Sequence, residues 1–280
     1  MIALILASLI WSFSFGIIQQ QIAGQDPSFN TMVRLALAFA VFLPFLRQRF
    51  NRFALQLVII GAVQYGAMYL FFFQGFATLQ SHEVALFTIL TPFWVLLLAN
   101  PRHLTRGLIP VGLAIAGGAV VRYTGDESFH LDTGFLYLQL SNLCFAFGQV
   151  QYRRLLKNHS AEAGVKADVN CFAWLFLGGT LVGLGRWLWL DMPMQPTTYE
   201  TWLAYAYLGI VASGLGFFLW NSGARKVTTS RLAAANNLKI PTAVAVSLLV
   251  FGEQIDMLRF GIGAALIVVA MALRPKVPAT

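Results

Sequence analysis

Few ionisable residues stand inside apolar sequence: Arg34, Glu83 and Lys239 are the deepest. A charge within a bilayer costs about 2.5–3.5 kcal/mol on insertion scales, so it faces a cavity or a partner. Lys239 lies two residues before Pro241, with Asn236 and Asn237 one turn earlier. Proline removes a backbone donor and lets a helix bend. An ammonium beside such a bend can meet an acid group near mid-membrane. The competing reading of Lys239 is a structural pair with Glu83. Snorkelling suits it poorly, because either helix end is roughly 15 Å away. Glu83 opens an apolar run and has three readings: a proton-coupling carboxylate, a counter-ion for Lys239, or an acid complementing a helix N-terminus. Asn142 and Asn221, with Asn236 and Asn237, supply amide donors and acceptors, although asparagine also joins helices without touching a ligand. Trp11, Trp220 and Tyr69 supply rings with a polar handle. Pro92 and Pro241 are the candidate bending points. His82, His103, His130 and His159 are scattered, without metal-ligand spacing. No nucleophile comes with a base, and no ATP-binding motif occurs. Catalysis, a metal and a cofactor are therefore not expected.

The elements that position these residues follow from composition. Of 280 residues, 58% are hydrophobic and 11% charged, where a soluble domain carries roughly 25% charged. Mean hydropathy is +0.69. These values exclude a soluble enzyme, a nucleic-acid-binding domain and a disordered regulator. A bilayer core takes about 20 apolar residues per helix. Ten such runs are present, near 2–22, 29–46, 54–77, 83–99, 107–123, 132–152, 168–190, 201–224, 229–251 and 257–273. They are continuous rather than alternating, which argues against a membrane barrel. The N-terminal run has no basic region before it, so a cleaved signal peptide is not expected. The net charge of +8 is placed asymmetrically. Connections after even-numbered runs, with the C-terminus, hold thirteen basic residues, from Arg47 and Arg49 to Arg274 and Lys276. Odd connections collect acids such as Asp26, Asp126 and Asp191. Basic loops mark the cytoplasmic side, so both termini are expected there. Cys144 and Cys171 read as free buried thiols.

The chain also contains a weak copy of itself. WSFSFGIIQQQ resembles LCFAFGQVQYRR, with Gly16 on Gly148 and Gln19 on Gln151. EVALFTILTPFWVLLL resembles LAAANNLKIPTAVAVSLL, with Pro92 on Pro241. Five helices per copy is an odd number, so the second copy enters the membrane from the opposite side. The expected architecture is an all-α integral membrane protein of ten transmembrane helices, built as inverted five-helix repeats over 1–125 and 126–280. Transporters of this kind hold the site near the midplane, between the repeats. Gly179 and Gly183 form a GxxxG pair suited to close helix packing.

WSFSFG, MVRLALAF and the two proline-bearing helices resemble the ten-helix EamA-type branch of the drug/metabolite transporter superfamily. FLPFLR, SHEVALFTILTP, LQLSNLCFAFG, CFAWLFLGG, LGIVASGLGFFLWNSGA and NNLKIP carry the likeness through nearly the whole chain, toward the YigM-type biotin-transporting branch. The resemblance implies a secondary transporter of a bacterial inner membrane, working by alternating access. It implies import of biotin or a similar carboxylate; export of amino acids or other small amphiphiles is the alternative. The carboxylate would meet Lys239, the ureido head the asparagines, and the apolar tail the aromatics Trp11, Trp220 and Tyr69. The family counterpart of Arg34 implies a structural charge on a peripheral helix. The expected partners are a small-molecule substrate and the lipid bilayer, with no nucleic acid. A monomer and a homodimer are both compatible with the sequence.

Overall fold

The computed structural model describes residues 2–47, 49–99, 108–122, 133–158, 165–193, 195, 197–224, 227 and 240–272. These residues are helical, with turns between, and contain no strand. The helices are α1 (Ile2–Gln21), α2 (Pro27–Phe45), α3 (Arg52–Gly75), α4 (Ser81–Ala99), α5 (Leu108–Arg122), α6 (Thr133–Asn158), α7 (Val165–Trp189), α8 (Tyr199–Ala224), α9 (Ile240–Leu249) and α10 (Met257–Ala272). Among the described residues six are long and apolar enough to cross a bilayer: α1, α2, α3, α4, α8 and the Val169–Trp189 part of α7. The chain is thus a multi-pass membrane protein. Helix α6 runs beyond the apolar stretch read from sequence, through Arg153, Arg154 and Lys157. A helix need not stop where hydropathy does, because arginine and lysine are good helix formers.

Helix starts follow local chemistry. Asp26 caps α2 by accepting from the Ser28 and Phe29 amides at 2.8 and 3.0 Å, and Pro27 takes the first helical position. Asn51, Thr198 and Asp256 accept in the same way at the starts of α3, α8 and α10. Each satisfies donors that a helix N-terminus leaves without partners. The charged end of α6 serves two other helices. Arg153 donates to the Ala224 carbonyl at the end of α8, and Arg154 to the Leu98 and Ala99 carbonyls at the end of α4. Cations there satisfy the last carbonyls and complement the helix dipole.

Small residues set the closest approach. A Cβ on Gly183 would stand 2.6 Å from the Met32 amide nitrogen, and one on Gly179 would stand 2.7 Å from Leu35. The GxxxG pair therefore lets α7 approach closely, Gly183 against the α2 backbone and Gly179 against Leu35 and the α3 backbone at Gly66. This packing holds α2 closely against α7. Large apolar side chains such as Leu6, Phe13, Trp189 and Leu249 stand exposed on the outside. That is the surface a bilayer covers.

Besides the 3₁₀ end of α2 over Leu43–Phe45, three helices depart from regular winding within their length. Helix α3 widens to a π-helix over Ala62–Ala67, and α8 does so over Tyr207–Leu215. Helix α4 tightens to a 3₁₀ turn over Thr88–Leu90, just before Pro92. Such turns release backbone carbonyls and occur often at functional sites.

Candidate functional site

A cavity of ≈ 80 Å³ opens between α1, α2, α3, α4, α6 and α8. Trp11, Phe15, Phe72, Phe145 and Phe217 supply its aromatic wall; Ser14, Thr88, Thr91, Ser141 and Asn142 supply its polar one. Arg34 and Tyr69 also line it. The lining is amphipathic, as a site for a mostly apolar molecule with a few polar groups must be.

The polar wall is built on the broken winding of α4. In a regular helix the Thr91 amide would bond the Phe87 carbonyl. Here it turns to Thr88 instead. The Phe87 carbonyl is taken by Asn142 Nδ2 at 3.1 Å. Pro92 has no N–H, so the Thr88 carbonyl loses its usual partner too; the Thr91 hydroxyl donates there at 2.8 Å. That hydroxyl also stands 3.1 Å from Asn142 Oδ1. The second Asn142 amide proton goes to Gln139 Oε1 at 3.2 Å. Both donors of Asn142 are therefore occupied within the protein. Toward a ligand it offers only an acceptor.

The aromatic wall is anchored on the π-helix of α8. Trp11 donates its indole N–H to the Ala212 carbonyl at 2.9 Å. Gly216 makes this approach possible, since a Cβ there would stand 2.8 Å from the indole nitrogen. Ser213 donates back to the Leu208 carbonyl at 2.8 Å, a carbonyl five residues earlier that the wide turn leaves accessible. Its hydroxyl proton is thereby placed, so at the 2.9 Å contact Tyr69 is the donor to Ser213. The indole N–H and the phenolic O–H are thus both occupied within the protein.

Arg34 is 2% exposed. Its guanidinium carbon lies 4.3 Å from the centre of the Tyr69 ring and 5.7 Å from that of Phe73. Its Nε and Nη1 atoms have no hydrogen-bond partner among the described residues. Buried donors without a partner among the described residues are unusual in a protein interior. Sequence reading assigned this residue to the scaffold, yet it lines the cavity.

The other predicted site residues divide. Trp11, Tyr69 and Asn142 lie on the cavity wall. Trp220 stands behind Trp11, ring centroids 5.2 Å apart. Asn221 donates to the Tyr65 hydroxyl at 3.1 Å, tying α8 to α3. Pro92 is buried in α4 and Pro241 is exposed in α9. Lys239, Asn236 and Asn237 lie outside the described residues.

Glu83 is buried, and its carboxylate accepts from the Gln80 amide at 2.8 Å, at the first turn of α4. The helix-terminus reading of this residue thus has its geometry. A cluster that sequence did not single out lies beside it. Glu253, in the turn between α9 and α10, accepts from the Ser81 hydroxyl and the Ser81 and His82 amides, and bonds His82 Nδ1 at 2.7 Å. Ser247 of α9 joins through the Ser81 hydroxyl at 2.7 Å. Burial alone would raise the Glu253 carboxyl, but the bonds from His82 and Ser81 outweigh it and hold the group below its ordinary 4.5. Glu253 sits 172 and 171 positions along the chain from Ser81 and His82, so spacing gave no signal.

Comparison with known proteins agrees along the whole chain. The profile of the EamA-like transporter family matches residues 1–117 and 132–274. The biotin transporter of Escherichia coli strain K12 is 36% identical over 99% of this chain and 93% of its own. The probable biotin transporter of Pseudomonas aeruginosa is 37% identical over 96% and 95%. A crystal structure of a protein 19% identical to this chain shares the fold, with a TM-score of 0.63 over 97% of this chain and 95% of that one. This chain is a member of the EamA-like transporter family.

Proposed function

We propose that this transporter carries biotin inward across a bacterial inner membrane by alternating access. The observation that carries the reading is the likeness, over nearly full length, to two proteins named for biotin transport. The cavity supports it chemically. Biotin joins a polar ureido ring to an apolar chain ending in a carboxylate. The aromatic wall suits the chain. Asn142 and the hydroxyls of Thr88, Thr91 and Ser141 suit the ring, with Asn142 accepting a ureido N–H. Asn236, Asn237 and Lys239 are proposed on sequence grounds as further substrate contacts, with Trp220 and Asn221 supporting the cavity from behind. The carboxylate cannot be buried without a cation.

The two halves, 1–125 and 126–280, are proposed as inverted five-helix repeats, ten crossings in all, with both termini cytoplasmic. Support comes from the π-helical turns in α3 and α8, the third helix of each half, and from the family profile matching in two blocks. Rocking of the halves would turn the cavity from one face to the other, with bends at Pro92 and Pro241. Glu83 would couple or gate through the α4 N-terminus.

Proteoliposomes holding the purified full chain, loaded with buffer and given labelled biotin, test the function. Saturable accumulation that unlabelled biotin blocks and amino acids do not is the expected result. Amino-acid flux without biotin flux would replace this reading with the export alternative.

A further inference from the structure

The geometry points to Arg34 as the group that reads the substrate's charge: its guanidinium, held face-down on Tyr69, recognises a monocarboxylate in the cavity. This rests on the proposal that the cavity is the substrate site, and it names the chemical class admitted there. Three observations carry it. Arg34 is nearly inaccessible from outside and lines the cavity. Tyr69 and Phe73 occupy its face. Its Nε and Nη1 donors have no partner among the described residues.

The arrangement has a physical logic. A ring below the guanidinium attracts its charge but accepts nothing from its N–H groups, which lie in the guanidinium plane. The Nε and Nη1 donors are therefore left for a ligand, and a carboxylate can accept from them in charge-assisted bonds. Tyr69 is itself held, because its hydroxyl donates to Ser213 on the π-helix of α8. The guanidinium is thus fixed before a ligand arrives, which lowers the ordering cost of binding. A scaffold cation would be placed differently, with its donors on carbonyls or a carboxylate, as Arg153 and Arg154 are on helix ends. One buried cation matches one carboxylate, so a neutral ester or alcohol of the same shape should be refused.

Equilibrium binding to the full chain in nanodiscs tests this, using labelled biotin displaced by biotin, its methyl ester or the corresponding alcohol. Wild type should prefer the acid strongly over both neutral analogues. Arg34→Gln should lose at least about 30-fold in biotin affinity, the usual loss when one partner of a buried charge pair is removed. Its affinities for the ester and alcohol should stay within about threefold of wild type. Arg34→Lys, which keeps the charge without the guanidinium, should fall between, and serves if the glutamine variant does not fold. An acid preference unchanged in both variants overturns the inference while leaving biotin transport intact. An acid preference lost in Lys239→Gln but kept in Arg34→Gln transfers the role to Lys239 and overturns it equally. Absence of biotin binding by wild type removes the transport reading and this inference together.

Discussion

Glu253→Gln removes the charge from the cluster that ties the turn between α9 and α10 to the start of α4. Four donors converge on this carboxylate, from Ser81 and His82. The side chain is 9% exposed, so solvent screens these bonds little. A hydrogen bond to a charged group contributes about 1.5–3 kcal/mol, against about 0.5–1.5 for a neutral one. Glutamine keeps one acceptor oxygen and turns an amide toward donors on the other side. The two effects give a loss of about 2–4 kcal/mol at neutral pH, with contributions in one cluster not simply additive. The sign with pH follows from the carboxyl lying below its ordinary 4.5 in the folded protein. Its stabilisation is complete above that value and is lost as pH falls through the folded value. Thermal unfolding in detergent from pH 7 down to the acid limit is the assay. The gap between wild type and variant should be widest at neutral pH and close in acid. A variant as stable as wild type at pH 7, or a gap that stays constant on acidification, would refute the reasoning.

Other outcomes follow from the same structure. Asn142→Leu leaves the Phe87 carbonyl without its partner and should cost about 1–3 kcal/mol in thermal unfolding; unchanged melting would show that water replaces the amide. Gly216→Ala drives a methyl group into Trp11 and should destabilise by about 1–3 kcal/mol as overpacking, with weakened biotin binding. Unimpaired binding in that variant would take Trp11 out of the site. Arg34→Gln should abolish selection for the acid form of biotin, as argued above, and competition by the methyl ester reads it directly.

The sequence by itself determined that this chain lives in a bilayer. Helices cannot cross hydrocarbon without long apolar runs, and those runs are local. The caps Asp26, Asn51 and Thr198 are equally local, each contacting an amide two or three residues away, but they were not read from the sequence. The overlong α6 was not legible, because its charged last turns are held by the ends of α4 and α8. The candidate site was half legible. Trp11, Tyr69 and Asn142 stood out as polar or aromatic residues in apolar sequence, and the fold brings them to one cavity. Which of their atoms remain free for a ligand was decided by contacts across the chain: Trp11 to Ala212 spans 201 residues, and Tyr69 to Ser213 spans 144. Arg34 shows the division most sharply. Its charge within an apolar run was visible as a cost, but whether a partner offsets that cost depends on what packs beside it. Close packing of α2 on α7 and an aromatic face on α3 put the guanidinium at the cavity with Nε and Nη1 unpartnered among the described residues, and no local pattern in the sequence encodes that placement.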